Sequence, residues 1–203
     1  MSEYKLYYGQ SKGRAELLRY LLTFAGQTFE DIRSEGKEEW NELLAKSPYG
    51  LLPYLEVDGV AIGQSLSIAR FLAKRFDLYG NNDIDQCKVD AVVDSIYIDI
   101  FSNMVALHVE SDESRKPMLY EKLKKSVDNL LPKINEKVEG DGTFLRSGVS
   151  LADIAIYNFF SEYAPHLPWM SSEDYHKLRA IKEKIGSDAK IKTYVANRKE
   201  TQF

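Results

Sequence analysis

Between Ser47 and Ser65 the chain reads SPYGLLPYLEVDGVAIGQS, and this run has the parts needed to hold a peptide by its backbone. Pro53, with fixed φ and no N–H, stands where an extended segment enters the apolar run Tyr54-Leu55-Glu56-Val57. A cis Leu52-Pro53 bond would turn the Leu52 main chain outward, to pair with an extended ligand as an added strand does. Asp58-Gly59, between Val57 and Val60, signals a two-residue hairpin, because a type I′ turn needs positive φ at both central positions. Gln64-Ser65 then precedes the amphipathic LSIARFLAKRF. Ser65 reads as its N-cap, where free N–H groups and the positive dipole end favour a carboxylate. Two adjacent phenols, Tyr7 and Tyr8, close a strand-like YKLYY, and Arg14 opens the next helix. Alternation along a strand sends the two rings to opposite faces, so they compete for any role there.

Each of these residues also has an ordinary explanation. With 13 tyrosines in the chain, one at a strand end is usually packing. Trp40 can be an aromatic cover over its loop, Gln64 a loop residue and Ser65 a simple cap.

The elements that would position them follow from periodicity. Tyr4 to Tyr8 is strand-like, Arg14 to Ala25 puts Leu17, Leu18, Leu21, Leu22 and Ala25 on one helical face, and Phe29 to Arg33 is a second short strand. To about residue 76 the order is β-α-β, a loop with a short helix, then β-β-α: a thioredoxin-like α/β N-terminal domain, 1–77. Leu78 to Asp83 (LYGNND) breaks the pattern, and an all-α helical domain is expected over 83–203.

In that second half, Val89, Val92, Val93, Ile96, Ile100, Val105 and Val109 recur at helical spacing from about Ile84 to Val109. A further helix is expected from about Lys116 to Val138, with Pro117 in its first turn and Pro132 a potential kink. Ser150-Leu151-Ala152-Asp153 reads as a capping-box variant opening a mostly apolar, central helix to about Tyr163. A cap worth about 1 kcal/mol accounts for Ser150 and Asp153 without catalysis.

The chain has 27 basic and 31 acidic residues, a formal charge of −4, with neither sign gathered into blocks; nucleic acid and anionic membranes are therefore not expected partners. Its single cysteine, Cys87, cannot form an internal disulfide, which fits a reducing compartment. Met1-Ser2-Glu3 leads directly into a strand, and Arg14, Glu16 and Arg19 interrupt the first apolar stretch, so a cytoplasmic location is expected. His108, His166 and His176 are dispersed and offer no zinc-ligand spacing, so no metal is expected.

Taken together, Tyr8, Arg14, Trp40, Leu52-Pro53 and Gln64-Ser65 at these spacings, with GRAE opening the first helix and the EVDG and QS elements, resemble the cytosolic glutathione transferases, and the sigma class in particular. The likeness runs on through Gln86-Cys87-Lys88-Val89-Asp90, VSLAD at Val149 to Asp153, and the C-terminal NRKETQF. The resemblance selects Tyr8 over Tyr7 and implies glutathione as co-substrate. A thiol is only a few per cent ionised at neutral pH, and the thiolate is the nucleophile. A phenol keeps its proton there and can donate a hydrogen bond to the sulfur anion, with Arg14 as a nearby cation. A thiol pKa lowered by two units would need roughly 2.7 kcal/mol. By the same resemblance Ser65 and Gln64 take the γ-glutamyl end, Leu52, beside Pro53, pairs with the cysteinyl part, and Trp40 donates to the glycyl carboxylate.

Three positions depart from the sigma pattern. Leu44 and Leu51 stand where relatives carry lysines, leaving Lys46 as a substitute cation. Ile98 stands where relatives carry an Asp that approaches glutathione in the neighbouring subunit, and Asp99 is the nearest acid. Asp99 serves only if the helix is locally overwound or bulged. For the second substrate, a small hydrophobic electrophile between the domains, Tyr97, Phe101, Met104 and His108 form an aromatic and polarizable stripe, although such a stripe is more often plain core. The resemblance further implies a homodimer, with Tyr49 as an anchor in the partner. Two other functions share these features: a prostaglandin D-type isomerase using the same thiolate, and a non-enzymatic, ligand-binding or crystallin-like relative.

Overall fold

Strand β1 (Tyr4–Gly9) buries Tyr4 and Leu6, the alternation expected of a half-buried strand, and also Gly9 at its end. A 3₁₀ turn (Gly13–Ala15) leads into α1 (Glu16–Phe24), which returns the chain to β2 (Glu30–Ser34) parallel to β1, as a crossover helix permits. After α2 (Lys37–Lys46), β3 (Tyr54–Val57) and β4 (Val60–Gly63) form a hairpin, and α3 (Ser65–Arg75) follows. The sheet order is β2-β1-β3-β4, with β3 antiparallel to β1. Asp58 and Gly59 have φ of 51° and 82°, as the hairpin reading requires. Leu6, Leu17, Leu21, Leu55, Ile68 and Leu72 are buried between sheet and helices. The arrangement is thioredoxin-like.

The computed structural model describes residues 2–170 and 174–201; the last two residues of NRKETQF lie outside them. By contacts the chain divides into Met1–Leu78 with Gly186–Phe203, and Tyr79–Ile185. The last helix therefore goes with the first unit, whereas sequence assigned it to the helical half. Side chains of α9 (Ala189–Asn197) explain this: Lys190 Nζ donates to the Phe24 carbonyl, and the Tyr194 ring meets Tyr20 edge-on at 5.6 Å.

In the second unit, α4 (Asp83–Asp94) begins at Asn82, whose side-chain oxygen accepts from the N–H groups of Ile84 and Asp85 at 3.0 Å. This cap fixes where the helical half starts. The single long helix read from sequence is three pieces: α4, a π-helical segment Ser95–Phe101, and α5 (Ser102–Val109). Taken whole, Asp83–Val109 is long and apolar enough to cross a bilayer, yet Val89, Val92, Val93, Ile96 and Ile100 are buried within the protein, as in a core helix. The next helix, α6 (Lys116–Lys137), continues through Pro132. The apolar helix after Ser150 is α7 (Leu151–Asn158), which passes into a π segment (Phe159–Tyr163) and a 3₁₀ turn (Ala164–His166) before α8 (His176–Ser187).

Candidate active site

The last residues of β1 separate the two phenols as strand geometry demands. Tyr7 lies opposite Tyr54 across the antiparallel pair and stacks on it, centroids 4.3 Å apart. Burial raises the pKa of both, that of Tyr54 to about 12. Tyr8 faces the other way, its ring edge-on to Trp40 of α2 at 5.8 Å.

The Tyr8 hydroxyl is met by the turn that opens the first helix. The Arg14 backbone N–H donates to Tyr8 Oη at 3.4 Å. A lone pair of the phenol oxygen is thereby engaged while its own proton stays available for donation. Sequence assigned Arg14 its part as a side-chain cation; the contact with Tyr8 is made by its main chain.

Two glycines that sequence reasoning passed over make this approach feasible. A Cβ on Gly13 would stand 2.5 Å from Tyr8 Oη, and Gly13 has φ +41°. One on Gly9 would come within 3.1 Å of the Trp40 ring. The available signal was position: Gly9 directly follows Tyr8, and Gly13 directly precedes Arg14.

Opposite the phenol side, the Leu52–Pro53 peptide bond is cis. Pro53 is buried and Leu52 half-buried. The hairpin then returns the chain to Gln64, which is exposed and has φ +69°, and to the buried Ser65. Helix α3 begins at Ser65 with Gln64 as its N-cap, and no side chain caps it. The Ser65 assignment is thus corrected by one position: it is the first helical residue. A non-glycine residue held at positive φ carries strain of roughly 1–3 kcal/mol, a feature that clusters at ligand clamps. The first N–H groups of α3 have no intrahelical acceptor, as at any helix start, and suit an anion.

Leu44 is half-buried, whereas Leu51 and Lys46 are exposed. Asp99 and Ile98 are both exposed, and both lie in the π segment Ser95–Phe101. A π turn absorbs one extra residue in a helix, so Asp99 lies in a locally bulged segment.

The same segment divides the aromatic stripe. Tyr97 and Phe101 are each 1% exposed, with Phe101 against Tyr163 at 4.8 Å and Tyr97 Oη accepting from Asn158 Nδ2. Met104 is buried and His108 exposed. The break in burial falls between Met104 and His108 within α5, where His108 is the penultimate residue of the helix.

Asp153, read from sequence as a cap, is fully buried and accepts several hydrogen bonds. Its carboxylate accepts from the Phe144 N–H at 2.6 Å and from the Ser150 N–H and hydroxyl at 2.7 Å each. Burial nevertheless raises its pKa to about 6, outweighing those hydrogen bonds. It is a cap, as its spacing implied.

Family models match both halves: glutathione S-transferase, N-terminal domain, over residues 2–74, and glutathione S-transferase, C-terminal domain, over residues 98–198. Among curated proteins the chain is 32% identical to S-crystallin SL11 of Nototodarus sloanii over 100% of both chains. It is 35% identical to human (Homo sapiens) hematopoietic prostaglandin D synthase over 75% of each. Among solved structures, the prostaglandin synthase D of Nilaparvata lugens superposes with a TM-score of 0.85 at 30% identity, covering 98% of this chain and 100% of that one. With a tyrosine backed by a helix start, a proline-entered strand and both domain matches in hand, the chain belongs to the glutathione S-transferase family, as an enzyme of that family.

Proposed function

We propose that this transferase is of the sigma type: it binds glutathione extended along the Leu52–Pro53 edge, stabilises its thiolate with the Tyr8 hydroxyl, and conjugates it to small hydrophobic electrophiles. The observation that carries this reading is the Arg14 N–H donated to Tyr8 Oη, which orients the phenol so that its proton is left for sulfur. Arg14 supplies positive charge near the anion. Gln64, Ser65 and the first N–H groups of α3 take the γ-glutamyl end, and Trp40 the glycyl carboxylate. The thiol proton leaves to solvent, the sulfur lone pair forms the new bond to carbon, and the electrophile's leaving group departs with its own electron pair. His108, exposed on α5, is assigned to contact the electrophile, while Tyr97, Phe101 and Met104 are buried. Such chemistry suits detoxification in the cytoplasm.

Replacing Tyr8 by Phe tests the core of this. The expected result is a kcat lowered roughly ten- to a hundredfold, with glutathione affinity within about twofold, because one donor to a developing anion is lost. An equal loss in both would mean that Tyr8 serves the fold.

The human relative's name points to prostaglandin D synthesis, an isomerisation that the same thiolate would serve. The crystallin relative represents the non-enzymatic alternative. Retention on glutathione resin with turnover of a chloronitrobenzene supports the transferase; neither retention nor turnover would support a binding or structural role. The active form is proposed to be a homodimer anchored by Tyr49, which is 69% exposed, with Asp99 approaching the γ-glutamyl amine held by the partner subunit.

A further inference from the structure

Between Tyr8 and Arg14 the chain makes a short loop, and its three consecutive carbonyls are held by two guanidinium groups. Arg33 Nη1 donates to the Gln10 carbonyl at 3.2 Å, and Arg19 Nη1 to those of Ser11 and Lys12 at 3.1 and 3.4 Å. Both arginines share the Asp31 carboxylate: Arg19 Nε reaches it at 3.0 Å, Arg33 Nε and Nη2 at 2.8 and 2.6 Å. Arg19 is wholly buried and also pairs with the buried Glu16 at 3.0 Å. Burial works against its charge, yet Asp31 and Glu16 more than offset this, and its pKa is raised.

Glu16 is where the C-terminal segment enters. Its other oxygen accepts from Tyr194 Oη at 3.0 Å and from Arg198 Nη1. Arg198 also donates to Tyr20 Oη at 2.8 Å. Glu16 is the first residue of α1, and its own N–H donates to the Lys12 carbonyl at 3.0 Å. A continuous path of hydrogen bonds thus joins residue 198 to the loop behind the catalytic phenol.

Buried charge is costly and not needed for a stable core, where apolar residues do as well. The groups that this cluster holds are the loop carbonyls adjoining Tyr8. We infer that Tyr194 and Arg198, through Glu16 and Arg19, are positioning residues for thiolate formation: they fix the loop that sets the Arg14 N–H against the Tyr8 hydroxyl. The inference rests on the proposed role of Tyr8. Small displacements of a donor suffice, since a misplacement of about 1 Å can cost about a hundredfold in rate.

The test is the pH dependence of kcat/KM for chloronitrobenzene conjugation, with the thiolate absorbance of bound glutathione, in full-length Arg198→Met and Arg198→Lys. Arg198→Met should move the acidic limb toward the pKa of free thiol and lower kcat/KM below that pKa by roughly three- to tenfold, with glutathione affinity within about twofold. Arg198→Lys, which can still pair with Glu16, should recover most of the loss. Should Arg198→Met not fold, Tyr194→Phe carries the same expectation at about twofold. An unmoved limb in a folded variant overturns the inference, as does a rise in KM alone. If Tyr8→Phe shifts the limb and the Arg198 variants do not, only this inference fails; if Tyr8→Phe also leaves it unmoved, the thiolate reading fails with it.

Discussion

Gly13 combines φ +41° with a position where a Cβ would stand 2.5 Å from the Tyr8 oxygen. Gly13→Ala therefore meets two penalties, a left-handed backbone worth about 1 kcal/mol and a collision with the group assigned to catalysis. The collision is relieved by moving the phenol away. The expected outcome is a kcat/KM lowered more than tenfold, roughly, with stability reduced by only about 1–2 kcal/mol, read from paired kinetic and urea-denaturation measurements. A loss of stability with kinetics intact would show that the Tyr8 ring is not set by this approach. At this scale the sequence was only partly legible. Tyr8 and Trp40 carry recognisable chemistry, but a glycine's function lies in an absent atom, and nothing in the spacing alone marks the space it leaves. Arg14 was legible as a charge and not as an N–H, because every residue has one and only the turn decides where it points.

Elements were read most accurately where a local interaction defines them. The Asp58-Gly59 hairpin and the Ser150–Asp153 cap depend on a few adjacent residues, and both occur as read. Helix periodicity was legible for Asp83–Val109, but not its π segment, because the deviation is set by packing on all sides and not by propensity. The contacts of helix α9 with α1 were not legible for a similar reason, since Lys190, Tyr194 and, just beyond the helix, Arg198 find their partners on α1 more than 160 residues away in sequence. The α7 cap has a thermodynamic consequence. Folding raises the Asp153 pKa from 3.8 to about 6, so between those values the folded chain holds a proton that the unfolded chain has released. Stability from this group is then greatest below pH 3.8 and falls as pH rises to about 6, by on the order of 2–3 kcal/mol. Asp153→Asn cannot titrate. The stability difference between wild type and variant, measured by denaturation at a series of pH values, should therefore shrink across that window; a constant difference would mean that the carboxyl pKa is unshifted by folding.

For the whole molecule, the proposed dimer joins features that look unrelated within one chain. Tyr49 and Leu51 are 69% and 55% exposed on the loop before Pro53, an arrangement that costs apolar surface in a monomer and is recovered by burial in a partner. Asp99, exposed in the π segment, has no assigned role inside its own chain and acquires one only when a second copy brings its glutathione close. The two proposals are therefore coupled and can be tested as one. Tyr49→Asp should favour monomers in sedimentation velocity and raise the KM for glutathione, because each site then lacks the neighbour's carboxylate. Asp99→Asn should raise that KM by roughly three- to tenfold in the dimer, the loss expected for one charge-assisted hydrogen bond, with kcat little changed. In the double variant the second substitution should add nothing, since a monomer has no partner site for Asp99 to reach. Additive effects would instead mean that Asp99 and Tyr49 act independently, and an unchanged sedimentation coefficient in Tyr49→Asp would remove the tyrosine from the interface.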